Sequence, residues 1–389
     1  MSAAQEFKEP PTPKPMTRVV LDLEPASNGD GNTLLGNRWL CRGGGALLVG
    51  QTGIGKSTVV MQLVLCWALG RPCFGIHPAK PLKIVLIQAE NDEGDLCEMR
   101  DGPLEHLDPS EDEIDLLRKN LFCVFESSRT GQDFITNTLI PLLRDEKPDL
   151  VILDPGLSYL GGDSSEQKTV GLFLRNLLSP ALKEHNCGAL IVHHTNKFSA
   201  ADRDTKKKAN DFAYAGTGSA EWANWARGVL VLQAKNDIGL RELRIGKRAR
   251  LGWKDADGGP TFVKILRQSP EGEKLFFTEL TPEEADETLL ETPYEKALRF
   301  LPEPDSSMEK KALVAFFKAR VGCGENKIER EIIPQLVEGG YFNRTEIPRP
   351  PKRPWIHYLR TEKTPPNPVI PFKVSYAEGV TRVELKPCA

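Results

Sequence analysis

Residues Gly50, Gln51, Thr52, Gly53, Ile54, Gly55, Lys56 and Ser57 carry the most specific chemistry in the sequence. They fit the spacing GxxxxGK[ST]. Glycines let such a loop turn so that its N–H groups face a phosphate, while the lysine reaches the β- and γ-oxygens and the serine hydroxyl binds Mg²⁺. An apolar strand, residues 46–49, precedes the loop, and a helix that includes Thr58 is predicted over 56–69. That context suits a phosphate cradle, because the helix offers its positive end to the anion.

Other polar residues stand at the ends of predicted strands. Asp154 closes DLVILD, where a carboxylate holds Mg²⁺ through water or serves as a turn residue before Pro155. Many ATPases have a water-polarising Glu directly after that carboxylate, and here Pro155 stands instead. The base is therefore expected at Glu90, which follows KIVLIQ and can orient water towards a γ-phosphate. Asn91 and Asp92 suffice for a helix cap there. A third strand, GALIVHH, ends in His193 and His194. Neighbouring side chains on a strand point to opposite faces, so at most one of the two can sense the γ-phosphate. A GTPase should carry Asn-Lys-x-Asp, yet Asn196 and Lys197 are followed by Phe198 and Ser199. An ABC-type ATPase needs LSGGQ, and LSYLGGD is not that. ATP and Mg²⁺ are the expected ligands.

These side chains need strands that end together at one edge of a sheet. From about residue 36 to 280, short β-branched runs alternate with helical stretches, which argues an α/β fold with a parallel sheet covered on both faces. Strands are predicted over 46–49, 83–88, 122–125, 150–153 and 189–192, with helices over 56–69, 134–145 and 166–185. After Trp225 the runs 228–233, 240–245, 261–266 and 275–280 are separated by Asn-Asp and Gly-rich turns, and read as antiparallel edge strands. The expected division is a Pro-rich arm over 1–32, an ATPase domain over 33–280, an acidic linker over 281–293, a small α-rich domain over 294–360 and a weakly ordered tail over 361–389. Helical spacing in the small domain runs to Gly339 and Gly340, and the text from Ile347 is Pro-rich and weakly patterned.

The 389 residues hold 51 Lys plus Arg against 54 Asp plus Glu, a formal net charge of −3. That excludes a uniformly basic nucleic-acid coat and leaves polyanion binding to local patches. Residues 241–254 are such a patch, with six bases and one acid. The longest apolar stretch, 59–69, is about half of what a membrane span needs and is interrupted by Gln62. The amino terminus has no basic start before an apolar core. Eight cysteines without a CxxC pair suggest reduced thiols and a cytoplasmic protein.

The combination GQTGIGKST, IQAEND, DLVILDP, IVHHTNK and GTGSAEWANWARGVLVL resembles the RecA/DnaB-like ATPases, in the branch of RepA-type hexameric replicative helicases. The resemblance covers roughly residues 33–270. It implies a RecA-like P-loop fold, Glu90 as the water-polarising residue, His193 or His194 as the γ-phosphate sensor, and an arginine acting on a neighbour's γ-phosphate. Arg227, in WARG, and Arg248 and Arg250, in GKRARLG, are the candidates for that finger. A homo-hexamer or other ring, single-stranded DNA as partner and a role as helicase or translocase in replication follow from the resemblance. A recombinase- or KaiC-like regulatory ATPase is the alternative. The polar stretch 201–218, with Lys206, Lys207 and Lys208, is a solvated charge run or, by the resemblance, a channel loop that contacts nucleic acid. GENKIEREIIPQLVEGGYF followed by PRPPKRPWIHYLR looks like the last helix and wing of a winged-helix domain.

Overall fold

The structure, a computed structural model, describes residues 17–23, 26, 30–194, 218–235, 239–255, 257–270, 273–281, 284–285, 292–321, 323–349, 352–363, 374–377 and 380–383. The segment with Lys206–Lys208, most of the acidic linker and most of the amino-terminal arm lie outside the described residues.

A short pair, β1 (Thr33–Leu35) and β2 (Leu40–Cys41), leads into β3 (Gly45–Gly50), the phosphate loop and α1 (Lys56–Ala68). Next come β4 (Ile84–Gln88), α2 (Glu93–Leu107), α3 (Glu111–Asn120) and β5 (Leu121–Phe125). A helix over 131–146, here α4, precedes β6 (Leu150–Asp154). A second, α5 over 167–184, precedes β7 (Gly188–His194). After α6 (Glu221–Trp225) come β8 (Gly228–Ala234), β9 (Leu240–Lys247), β10 (Val263–Gln268) and β11 (Phe277–Leu280).

One nine-stranded sheet runs in the order β11-β10-β9-β8-β3-β7-β6-β4-β5. Strands from β8 to β5 are parallel, and β9, β10 and β11 add antiparallel at one edge. This is the α/β P-loop architecture with antiparallel edge strands expected from the sequence. The phosphate-loop strand β3 and the Asp154 strand β6 are separated by β7, which carries the histidines.

Strand alternation divides the apolar side chains between two cores. Leu48, Leu86, Ile152, Leu190 and Leu230 face α1, α2 and α3. Leu47, Val49, Val85, Ile87, Val151, Leu153 and Ile191 face α4 and α5. Both faces are covered, which is why the parallel strands read as unbroken apolar runs.

The carboxy-terminal elements are α7 (Pro293–Arg299), β12 (Ser307–Glu309), α8 (Lys310–Val321), α9 over 325–338, β13 (Phe342–Arg349) and β14 (Lys352–Arg360). They share a separate apolar cluster around Leu313, Phe317, Ile332, Leu336 and Phe342. The stretch from Ile347, weakly patterned as sequence, belongs to an antiparallel strand pair, with Phe342 opposite Arg360, Ile347 opposite Trp355 and a shift of register between Ile347 and Arg349. Prolines and charges obscure strand alternation there, and long-range pairing supplies the order instead. In the tail, Val374–Ala377 pairs antiparallel with Val380–Val383.

Candidate functional site at the phosphate loop

The loop leaves the carboxyl end of β3 and turns into α1. Gly55 caps the helix with φ 97°, a conformation that L side chains avoid. A Cβ there would also stand 2.8 Å from the Phe277 ring. The first N–H groups of α1 have no intrahelical acceptor and remain available to an anion.

Lys56 is almost fully buried, and its Nζ donates to the Gln51 carbonyl at 2.8 Å. It also lies 3.1 Å from His194 Nδ1. Burial pulls the Lys56 ammonium below its usual range, and Asp154 and Glu90 pull it back. An ammonium held over the loop with two carboxylates in range suits a triphosphate that brings its own negative charge.

Asp154 is buried at the end of β6, where Ser57 and Gln88 share its carboxylate; Gln88 Nε2 is 3.2 Å from Oδ2. Gln88 is held in turn by Asn91, whose Nδ2 donates to Oε1 at 2.9 Å. Burial pushes the Asp154 carboxyl above its ordinary value, against the hydrogen bonds. A carboxylate and a hydroxyl that already meet are hard oxygen donors that fit Mg²⁺, which takes one or two protein ligands plus phosphate oxygens and water. No cluster of three or more His, Cys, Asp or Glu able to hold a metal by itself occurs among the described residues. Ser57 and Asp154 would hold Mg²⁺, which would supply positive charge against the phosphates.

Glu90 lies just beyond β4, is exposed, and stands within electrostatic range of Lys56, Asp154 and His194. Asn91, expected as a cap, is engaged with Gln88 instead. Asp92 is the N-cap of α2, in a reciprocal capping box with Asp95.

The two histidines separate as strand geometry requires. His194 shares the α1 face, 3.1 Å from Lys56 Nζ and 3.4 Å from Thr52 Oγ1. Burial and the Lys56 charge lower its basicity, which favours a neutral ring. His193 is fully buried on the opposite face, stacked on Trp222 with ring centroids 4.6 Å apart. It does not reach the loop.

The three candidate arginines are at the other end of the sheet. Ala46 pairs with Gly228 and Gly50 with Leu232, so Arg227 lies beside Gly45 and donates its N–H to that carbonyl at 2.8 Å. Gly45 and Gly50 are five residues apart, about 16 Å at ~3.3 Å per strand residue. Lys247 pairs with Val229, so Arg248 and Arg250 continue past that same far end. Arg248 is pulled down by burial and by the nearby Arg250, Arg227 and Arg38 charges. Arg38 and Arg248 both have φ 60°, which costs a non-glycine residue ~1–2 kcal/mol.

Three features were not singled out in the sequence. Arg241, one of six bases in its stretch, comes back to the loop, with Nε donating to the Ile54 carbonyl at 3.2 Å. Tyr159, in the turn after β6, is fully buried near Asp154 and Glu126, and its hydroxyl has no hydrogen-bond partner among the described residues. A cavity of about 480 Å³ borders Thr58 between α2 and residues 273–275, large enough for the nucleoside end of a nucleotide. The cavity of about 640 Å³ on β9, β10 and β11 is lined by Lys235, Glu242, Lys264 and Glu279, and none of the loop residues lines it.

Fold and site together define a P-loop NTPase. The family profile described as an AAA domain matches residues 10–200. That span holds the loop, Glu90, Asp154 and both histidines, but none of the three arginines. Among solved structures, the chain is similar to a KaiC-like protein of the hyperthermophilic archaeon Pyrococcus horikoshii at 16% identity. That alignment covers 61% of this chain and 91% of the other, with a TM-score of 0.38. The chain is also similar to the RadB recombinase at 15% identity, over 59% of this chain and 88% of the other, with a TM-score of 0.38. No curated protein matches the chain. No helix among the described residues is long and apolar enough to cross a membrane.

Proposed function

We propose that this protein is an Mg²⁺-dependent ATPase of RecA-like type whose active site is completed by a second copy of the chain. Its loop, Ser57 and Asp154 hold Mg²⁺ and the phosphates, Glu90 orients the attacking water, and His194 senses the γ-phosphate. The observation that carries the reading is the separation of the basic cluster from the loop. Arg227, Arg248 and Arg250 crowd together at the far end of the sheet, where Gly45 beside Arg227 is about 16 Å along β3 from Gly50 at the start of the loop. Like charges so grouped repel unless an anion faces them. A head-to-tail contact between copies brings that end of one sheet to the loop end of the next, and such contacts close into rings or extend as filaments. An arginine delivered in trans is worth about 10³–10⁵ in rate in other P-loop enzymes.

The finer proposal is a ring, a hexamer in the helicase reading, that works in the cytoplasm and couples hydrolysis to movement along single-stranded DNA during replication. A second reading, a regulatory or recombinase-like ATPase without unwinding, is favoured by α9. Its exposed Glu325 and Glu329 pair with Lys318 and Lys310 of α8, and Glu331 and Glu338 stand against Lys327 and Arg330, so the helix offers no surplus of bases to a phosphate backbone.

Mixing two inactive variants tests the shared site. Lys56→Ala subunits lack a working loop, and Arg227→Ala, Arg248→Ala, Arg250→Ala triple variants lack the basic cluster. The mixture is expected to recover ATPase activity, because a mixed contact restores one complete site. No recovery at any ratio, with an active species of monomer mass, would overturn the reading. Strand separation of a forked duplex then distinguishes helicase from regulator.

A further inference from the structure

We infer that Arg241 is a positioning residue for the phosphate loop, acting from the antiparallel edge of the sheet through the peptide between Ile54 and Gly55. The inference rests on reading the loop as a triphosphate site.

Arg241 is the second residue of β9, at the end of the strand nearest the loop, opposite Ala234 of β8 and Leu266 of β10. Its side chain takes the α1 face, as does Leu243 two residues later, whereas Glu242 on the other face meets Gln233, Arg244 and Lys235. The guanidinium is half-buried, and burial alone lowers its basicity. All three of its nitrogens are engaged. Nε donates to the Ile54 carbonyl at 3.2 Å, Nη1 to the Leu240 carbonyl at 3.2 Å and Nη2 to Gln268 Oε1 at 3.4 Å. No carboxylate lies within salt-bridge distance among the described residues. An arginine kept half out of water requires fixed acceptors, and among the described residues these are two backbone carbonyls and one amide.

The Ile54 carbonyl decides what this contact does. In a planar trans peptide the C=O and the following N–H point in opposite directions. With its oxygen drawn towards Arg241, the Ile54–Gly55 peptide directs the Gly55 N–H away from β9. Gly55 has φ 97° and no Cβ, so nothing local holds that peptide in one orientation. Arg241 supplies the restraint from a strand more than 180 residues away. Its charge also adds to that of Lys56 beside the loop.

Loop N–H groups grip the phosphate shared by ADP and ATP. Arg241→Ala should therefore weaken both nucleotides by a similar factor, about tenfold or more, measured by calorimetry with Mg²⁺ present. Turnover at saturating ATP should stay within about threefold of the parent, so the loss appears in KM. Arg241→Gln, which keeps an N–H donor without the charge, should recover part of the affinity. The unfolding midpoint without nucleotide should not move. Unchanged affinity for ADP and ATP in Arg241→Ala would overturn the inference. So would a loss confined to ATP, which would mean direct contact with the γ-phosphate, or a fall in midpoint that accounts for the weaker binding. If the parent protein binds neither nucleotide, the triphosphate reading itself fails, an outcome distinct from any of these.

Discussion

Glu90 and His194 approach Lys56 from two different strands, β4 and β7, and both stand within electrostatic range of Asp154. Glu90→Gln is expected to retain ATP with near-parental affinity and to lower turnover by about 10²–10⁴, the usual worth of a positioned base. Hydrolysis at the parental rate would remove Glu90 from the mechanism. The side chains that could be assigned from sequence were those at strand ends, since a strand's carboxyl end faces the ligand crevice of a parallel sheet. Asp154 and Glu90 belong to that set, whereas Lys56 and Ser57 open α1 and were legible from the spacing of the loop. The choice between His193 and His194 depends on which face α1 covers, and this becomes visible only once Trp222 packs on the other side.

At the scale of elements, β11 and the turn before it are bolted to the helices beside the loop. Gln62, which breaks the apolar stretch of α1, donates to the Phe277 carbonyl at 2.8 Å and accepts the Phe277 N–H at 3.0 Å. Phe276 stacks on His106 at 4.5 Å, and Lys274 bridges to Glu105 at 2.9 Å. Gly102 lets α2 come close, because a Cβ there would stand 2.3 Å from the Leu275 carbonyl oxygen. Helix propensity alone favours Gly102→Ala by ~1 kcal/mol. The clash is with backbone and cannot be relieved by a rotamer change, so net destabilisation of ~1–3 kcal/mol is expected. A lower denaturation midpoint with an unchanged slope checks it, and a more stable variant would show that the turn yields. None of these contacts has a sequence signature, because each joins residues more than 150 positions apart or depends on a side chain's absence.

Across the whole molecule, charge and apolar surface are both divided by region. Among the described residues, the cluster around Leu313 and Phe317 draws only on residues from 294 onwards, and the two cores of the sheet use none of them. A chain ending at residue 291 is therefore expected to fold and to hydrolyse ATP. On the proposed single-stranded-DNA reading, its affinity should fall with salt along the parental slope, which counts phosphate contacts at about 0.7 per phosphate. A shallower slope would assign DNA contacts to the carboxy-terminal elements. By itself the sequence determined the loop, the strand-end carboxylates, the parallel core and the antiparallel edge, because each follows from local spacing and short-range periodicity. Only the tertiary structure decided which histidine faces Lys56, that Arg241 returns to the loop, and that Arg227, Arg248 and Arg250 stand at the opposite end of the sheet. Those facts depend on strand order and register, which long-range pairing sets and no local window contains.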